Sequence, residues 1–198
     1  MNDLVDRICA RRSVSPRHLS DPGPSPEELK EMARAAAAAP DHGRRGPMRL
    51  VHIPDSKREA LAEAFAGAAL EADPQSDAAR VEDARERARN GACLLAVIAT
   101  ISDDDPRVPP HEQWISVGSA IQNVLLAAES FGCRTKIVSG TRVTSKAMRS
   151  AFALKGSEHL VGFIAIGSFA GSPKDLPRRR ADEVLSIWTA ETPDSCDG

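Results

Sequence analysis

Hydrophobic positions along this chain follow two periods, and the switches between them mark out its elements. Over 3–10, Leu4, Val5 and Ile8 fall at helical spacing. At Ser25-Pro26-Glu27-Glu28 serine takes the capping position, proline the first turn and acids the next places, so a helix opens there and runs to Ala39. Segments 56–70, 76–89 and 145–152 read as further helices, and 76–89 is charged enough to lie on the surface with acid–arginine pairs along it. Positions 48–53 alternate and stop at Pro54, which predicts a strand. The runs 93–101 and 159–167 are apolar almost throughout and predict strands covered on both faces. A shorter strand is predicted over 135–138, with loops over 16–24 and 102–110. From Gly171 the chain is polar, ending in one last amphipathic stretch over 184–188.

The longest predicted helix spans 111–131 and stops at Gly132. Ile115, Val117, Ala120, Ile121, Val124 and Leu125 cover more than one of its faces. Such a helix belongs either inside the core of its own chain or between two subunits. Strands and helices follow one another without strict alternation, so the fold class is α+β, a mixed sheet flanked by helices.

Composition narrows this picture. A chain of 198 residues reads as one domain able to bury roughly 70% of its extended surface, so it needs no disulfide or metal staple. Aromatic residues make up only 4% and tyrosine is absent, which leaves Leu, Val, Ile and Ala to fill the core. A net charge of −2 points to neither nucleic acid nor an anionic membrane as a partner. Cys9, Cys93, Cys133 and Cys196 form no Cys-x-x-Cys pair and stand at no metal-ligand spacing from histidine, so they read as small hydrophobes or idle thiols. No apolar leader follows the first residue and no apolar run is long enough to span a bilayer, from which a reducing, cytoplasmic location is expected.

Chemistry concentrates in two short stretches. Arg11-Arg12-Ser13 sets two guanidinium groups and a hydroxyl side by side after a short helix, a socket suited to phosphate oxygens. Ala39-Pro40-Asp41-His42 ends the next helix and leaves a histidine on a turn. With a helix between them, the two suit an elongated phosphorylated cofactor. Asp103-Asp104-Asp105 points three acids in different directions and reads as a solvated loop. His111-Glu112-Gln113-Trp114 lacks a second histidine one turn on and reads as a helix start, with Trp114 near a cofactor mouth or in the core. There is no Gly-x-Gly-x-x-Gly turn and no P-loop.

Taken in order, Arg11-Arg12-Ser13-Val14-Ser15, Asp21-Pro22-Gly23-Pro24, Glu27-Glu28-Leu29 and Ala39-Pro40-Asp41-His42 resemble the N-terminal signature of the nitroreductase family, in particular its compact bacterial members. The resemblance runs from about Leu4 to about Trp188 and leaves 189–198 as a tail. It implies an intertwined homodimer that binds FMN, takes hydride from NADH or NADPH, and passes it to a nitroaromatic or quinone-like acceptor by a ping-pong mechanism. It also implies roles for particular residues. Arg11, Arg12 and Ser13 hold the phosphate and ribityl chain, and Arg180, within Arg178-Arg179-Arg180, reaches the phosphate. His42 approaches the flavin ring of the other subunit, and the turn Ile137-Val138-Ser139-Gly140 touches the flavin. No dedicated catalytic proton donor is named.

The chain departs from the family pattern at two places. Ile137 and Val138 stand where the compact subgroup carries tryptophan and arginine, and Arg134, Lys136 or Arg142 is left to supply a cation near the ring. Gly46-Pro47-Met48-Arg49 replaces Gln-Pro-Trp-Arg. These losses leave room for a second reading, a low-turnover flavin-binding protein for storage or sensing.

Overall fold

The computed structural model describes residues 3–189. Six α-helices and four strands follow one another as α1 (Asp3–Ala10), α2 (Pro26–Ala37), β1 (Met48–His52), α3 (Arg58–Ala72), α4 (Ala78–Arg89), β2 (Cys93–Thr100), α5 (Pro110–Ser130), β3 (Arg134–Val138), α6 (Lys146–Ala151) and β4 (Glu158–Gly167). The start of α2 is the one the sequence signals. Ser25 Oγ accepts from Glu28 N at 3.2 Å while Glu28 Oε2 accepts from Ser25 N at 2.7 Å, so two otherwise orphan donors are satisfied reciprocally.

The strands form one sheet in the order β1-β2-β4-β3, and every ladder is antiparallel. This corrects the mixed sheet predicted above. Among the described residues the parallel pairing is the isolated bridge Ser13–Thr135, in which Val14 N donates to Thr135 O at 3.1 Å. The continuous apolar runs of β2 and β4 have the cause expected for them, because helices cover both faces of the sheet. Cys93, Leu95 and Val97 of β2 pack with Met32 and Ala36 of α2 and Val124 and Ala128 of α5. Leu94, Ala96 and Ile98 face the opposite way, toward Leu61 and Phe65 of α3, Ala88 of α4 and Met148 of α6. The core is therefore two aliphatic layers on either side of the sheet.

One face of the long helix lies in the core of its own chain. α5 buries Gln113, Val117, Ala120, Val124 and Ala128 within its own chain, whereas Ile115 is 63% exposed. Trp114 is 40% exposed and so outside the core, with its ring 5.8 Å from that of His159. The last amphipathic stretch adopts no regular structure, and Val184, Leu185, Ile187 and Trp188 are all exposed. Residues 190–198 of the predicted tail, with Cys196, lie outside the described residues.

Candidate functional site

The N-terminal socket forms against the outer edge of β3. Once Ser13 and Val14 pair with Thr135, the preceding arginines are held beside that edge strand. A cavity of about 660 Å³ opens there, lined by Arg11, Arg12, Ser13, Arg17, Lys174 and Arg178 among others, with no carboxylate among the described residues of its wall. The cations are not equivalent. Arg12 Nη2 pairs with Asp175 Oδ1 at 2.7 Å and Arg12 Nη1 donates to Cys9 O at 2.6 Å, so this side chain fastens the C-terminal segment to α1. Arg11 Nη1 donates to Ser13 Oγ at 3.3 Å and, among the described residues, its guanidinium has no carboxylate partner. Arg178 donates to the Arg11 carbonyl.

Within the triple arginine, Arg178 and not Arg180 stands at the cavity. Arg180 pairs with Asp182 and Arg179 with Glu183, while Arg178 is the member that lines the cavity. Local pairing with acids two and four residues on outcompetes a longer reach. Arg17 and Lys174 escaped the sequence reading. Arg17 sits in the short 3-10 turn Pro16–His18 and Lys174 in irregular chain, where no periodicity singles out one basic residue, although the six-residue offset of Arg17 from Arg11 was a faint signal.

The turn after β3 lies next to this cavity. A second one, of about 300 Å³, shares Ser15 and Arg17 with the first and is floored by Leu94, Val138 and Phe163. β4 pairs with β2 through Gly162 and then Leu160, so Val161 is bulged, and its carbonyl accepts from Ser139 Oγ at 2.7 Å. That bond anchors Ser139-Gly140, and Gly140 takes φ +122°, a region that favours glycine. Val138 faces the second cavity, whereas Ile137 packs with the α2/α5 layer, so the two flanking positions serve different faces of the strand. Of the three cations considered for this place, Arg134 is taken by Glu129 at 3.0 Å and Arg142 shares the cavity with Val138.

His42 lies elsewhere. It occupies a short turn, His42–Arg44, leading into β1, the opposite edge strand from β3. Its Nδ1 lies 2.6 Å from Glu112 Oε2 on α5, which fixes the ring. Asp41 Oδ2 accepts from Gly46 N at 2.7 Å and closes the loop. A cavity of about 310 Å³ between α2, β1 and α5 is lined by Pro40, Asp41, Pro47 and Met48. Within one chain, then, the arginine socket and the histidine turn stand at opposite sheet edges. The helix between them does not bring them to one site.

With this geometry in view, comparison with known proteins is informative. The sequence pattern of the nitroreductase family matches residues 8–168, and the chain belongs to that family of oxidoreductases. A Haemophilus influenzae protein provisionally named an NAD(P)H nitroreductase is 28% identical over 166 residues, covering 84% of this chain and 88% of the other. The similarly named YdjA of Escherichia coli K12 is 29% identical over the same span and coverage. Among solved structures, a nitroreductase-like family protein from Bacillus cereus superposes with a TM-score of 0.82 at 22% identity, covering 96% of this chain and 98% of that one. The NADPH:FMN oxidoreductase from Vibrio harveyi, solved with NAD+, gives 0.72 at 18% identity, covering 96% and 79%. These structural likenesses establish the fold. Among the described residues no helix is long and apolar enough to cross a membrane, and no group of metal-ligating side chains gathers.

Proposed function

We propose that this protein is an FMN-dependent oxidoreductase that takes hydride from NADH or NADPH and passes it to a nitroaromatic or quinone-like acceptor. The observation that carries this reading is the cationic cavity at Arg11–Ser13, with no carboxylate among the described residues that line it, open beside an apolar recess at the end of β3. The residues present fit the cofactor: the first space suits its phosphate and the second its flat apolar end. The names of the similar proteins above, which join NAD(P)H and FMN to this fold, support the same assignment.

In this reading Arg11 and Ser13 bind the phosphate, with Arg17, Lys174 and Arg178 adding charge. Arg12 holds the C-terminal segment that completes the wall. Ser139 and Gly140 shape the turn beside the ring, and His42 of a second subunit closes it from the other side. The bound flavin would supply the hydride chemistry that no side chain can perform. Donor and acceptor would use one position in turn, which makes the kinetics ping-pong. The protein's share is proximity and orientation. The separation of the two motifs on opposite sheet edges supports a homodimer, as do the exposed Leu4, Val5 and Ile8 of α1 and Ile115 of α5.

The test is the absorbance spectrum. Purified protein should be yellow, and anaerobic NAD(P)H should bleach it. A colourless protein that ignores added FMN would end this reading. The low-turnover alternative rests on the apolar Ile137 and Val138, and stopped-flow absorbance separates it, because tight FMN binding without reduction by either nicotinamide would favour storage or sensing.

A further inference from the structure

The segment after β4 is fastened to the body of the protein at few points. Ser168 still pairs with Ser20, donating to its carbonyl at 2.8 Å and accepting from its N–H at 3.0 Å. Beyond it, among the described residues, no main-chain group from 169 to 179 takes part in a hydrogen bond, and 171–180 form neither helix nor strand. Yet Ser172, Pro173, Lys174, Leu176, Pro177 and Arg178 all line the arginine socket of about 660 Å³. Two side-chain contacts tie this wall down. Asp175 pairs with Arg12, and Arg178 donates to the Arg11 carbonyl.

Asp175 is not itself part of the wall. Lys174 and Leu176 line the cavity and the residue between them does not, as alternation along extended chain dictates. Arg12 Nε and Nη2 donate to Asp175 Oδ1 at 3.3 and 2.7 Å, while Nη1 donates to Cys9 O at 2.6 Å and Arg11 O at 3.1 Å. The Arg12 side chain is 21% exposed and that of Asp175 88%, so Arg12 is a fixed post and Asp175 the part that can leave. Lys174 and Arg178 of the segment line the same space as Arg11 and Arg17 of the body, and repulsion between these like charges works against closure. With the socket empty, one exposed ion pair and one carbonyl bond oppose that repulsion, and exposed pairs are weak. A phosphate between the two sets of cations turns the repulsion into attraction.

We propose that residues 171–178 are a strap that opens to admit a phosphate monoester and closes over it, with Asp175 a positioning residue that latches the strap through Arg12. The proposal rests on the reading above that this socket takes the phosphate of FMN. It adds that a moving segment controls how fast FMN leaves, so that FMN is a resident cofactor rather than a substrate exchanged at each turnover. An Asp175 that competed with phosphate for Arg12 would stand in the wall, and among the residues lining the cavity it is absent. Its removal therefore loosens the strap and does not vacate a binding position.

Two measurements test it. The first is the rate of FMN release, read from the return of flavin fluorescence on dilution. Asp175→Asn should release FMN about three- to tenfold faster than wild type, and Asp175→Glu, which keeps the carboxylate, should stay close to wild type. The second is cleavage after Lys174 by a lysine-specific protease, identified by mass spectrometry, which reports opening of the strap. FMN should slow this cut, as should inorganic phosphate at matched ionic strength, whereas riboflavin, which lacks the phosphate, should not. Without ligand, Asp175→Asn should be cut several-fold faster. The strap falls if Asp175→Asn leaves FMN release unchanged or slows it, if Asp175→Glu behaves as Asp175→Asn does, or if riboflavin protects Lys174 as well as FMN. The two readings fail separately. A protein that ignores FMN but is protected by inorganic phosphate loses the cofactor and keeps the strap. One that holds FMN while Lys174 is cut at an unchanged rate loses only the strap, and one that responds to neither ligand loses both.

Discussion

Arg58 shows how one side chain can hold two elements in register. It sits at the start of α3 with 7% of its surface exposed. Its Nη1 donates to Ala88 O and its Nη2 to Gly91 O, both at 3.1 Å, so the end of α4 and the entry to β2 are fastened together. Burial lowers its pKa, opposed by Asp55 at 3.9 Å. Arg58→Met keeps the apolar stem but strips two carbonyls of their donor, and urea unfolding should record a loss of about 2–3 kcal/mol. The cysteines fit their bland reading where they are described. Burial pushes the Cys93 thiol up to about 11, and burial raises Cys133 too. A thiol whose folded value lies above that of the unfolded chain favours folding fully below roughly pH 8.5, and that contribution is lost as pH rises through the folded value. Iodoacetamide at about pH 8 should therefore label exposed Cys9 and spare Cys93 and Cys133, which peptide mapping would read directly.

Among the elements, helix starts and apolar strands were legible because their causes are local. The Ser25 capping box and the extents of β2 and β4 follow from residues within a few positions of one another. The pairing of strands was not legible, because each strand chooses its neighbour from segments far away in sequence. Nor was the role of Gly162. A Cβ there would lie 2.5 Å from Val138 O and 3.2 Å from Ser139 Cβ. β4 needs that bare position to let the Val138–Gly140 turn close over it beside the bulge. Gly162→Ala should destabilise the fold by about 1–3 kcal/mol. It should also weaken FMN retention, measured by release of flavin fluorescence, because the turn shifts with the strand. Unchanged retention would remove that turn from the proposed site.

At the scale of the whole molecule, the placement of Arg11 and His42 on opposite sheet edges makes a test of assembly possible. If one site draws on two subunits, Arg11→Ala and His42→Ala homodimers should each be impaired. Unfolding and refolding them together should restore activity toward roughly a quarter of wild type, because half of randomly paired dimers carry one intact site of two. Inactive mixtures would mean that both residues act within one chain. By itself, the sequence determined the elements, the aliphatic character of the core and the order of motifs that marks the family. Each of these depends on neighbours along the chain. Tertiary structure alone decided that the sheet is antiparallel, that Arg178 rather than Arg180 lines the socket, and that Arg142 lies over Phe65. It also separated His42 from the arginines. These depend on which distant segments meet, and contact between them is set by packing two helical layers against one sheet rather than by any local spacing.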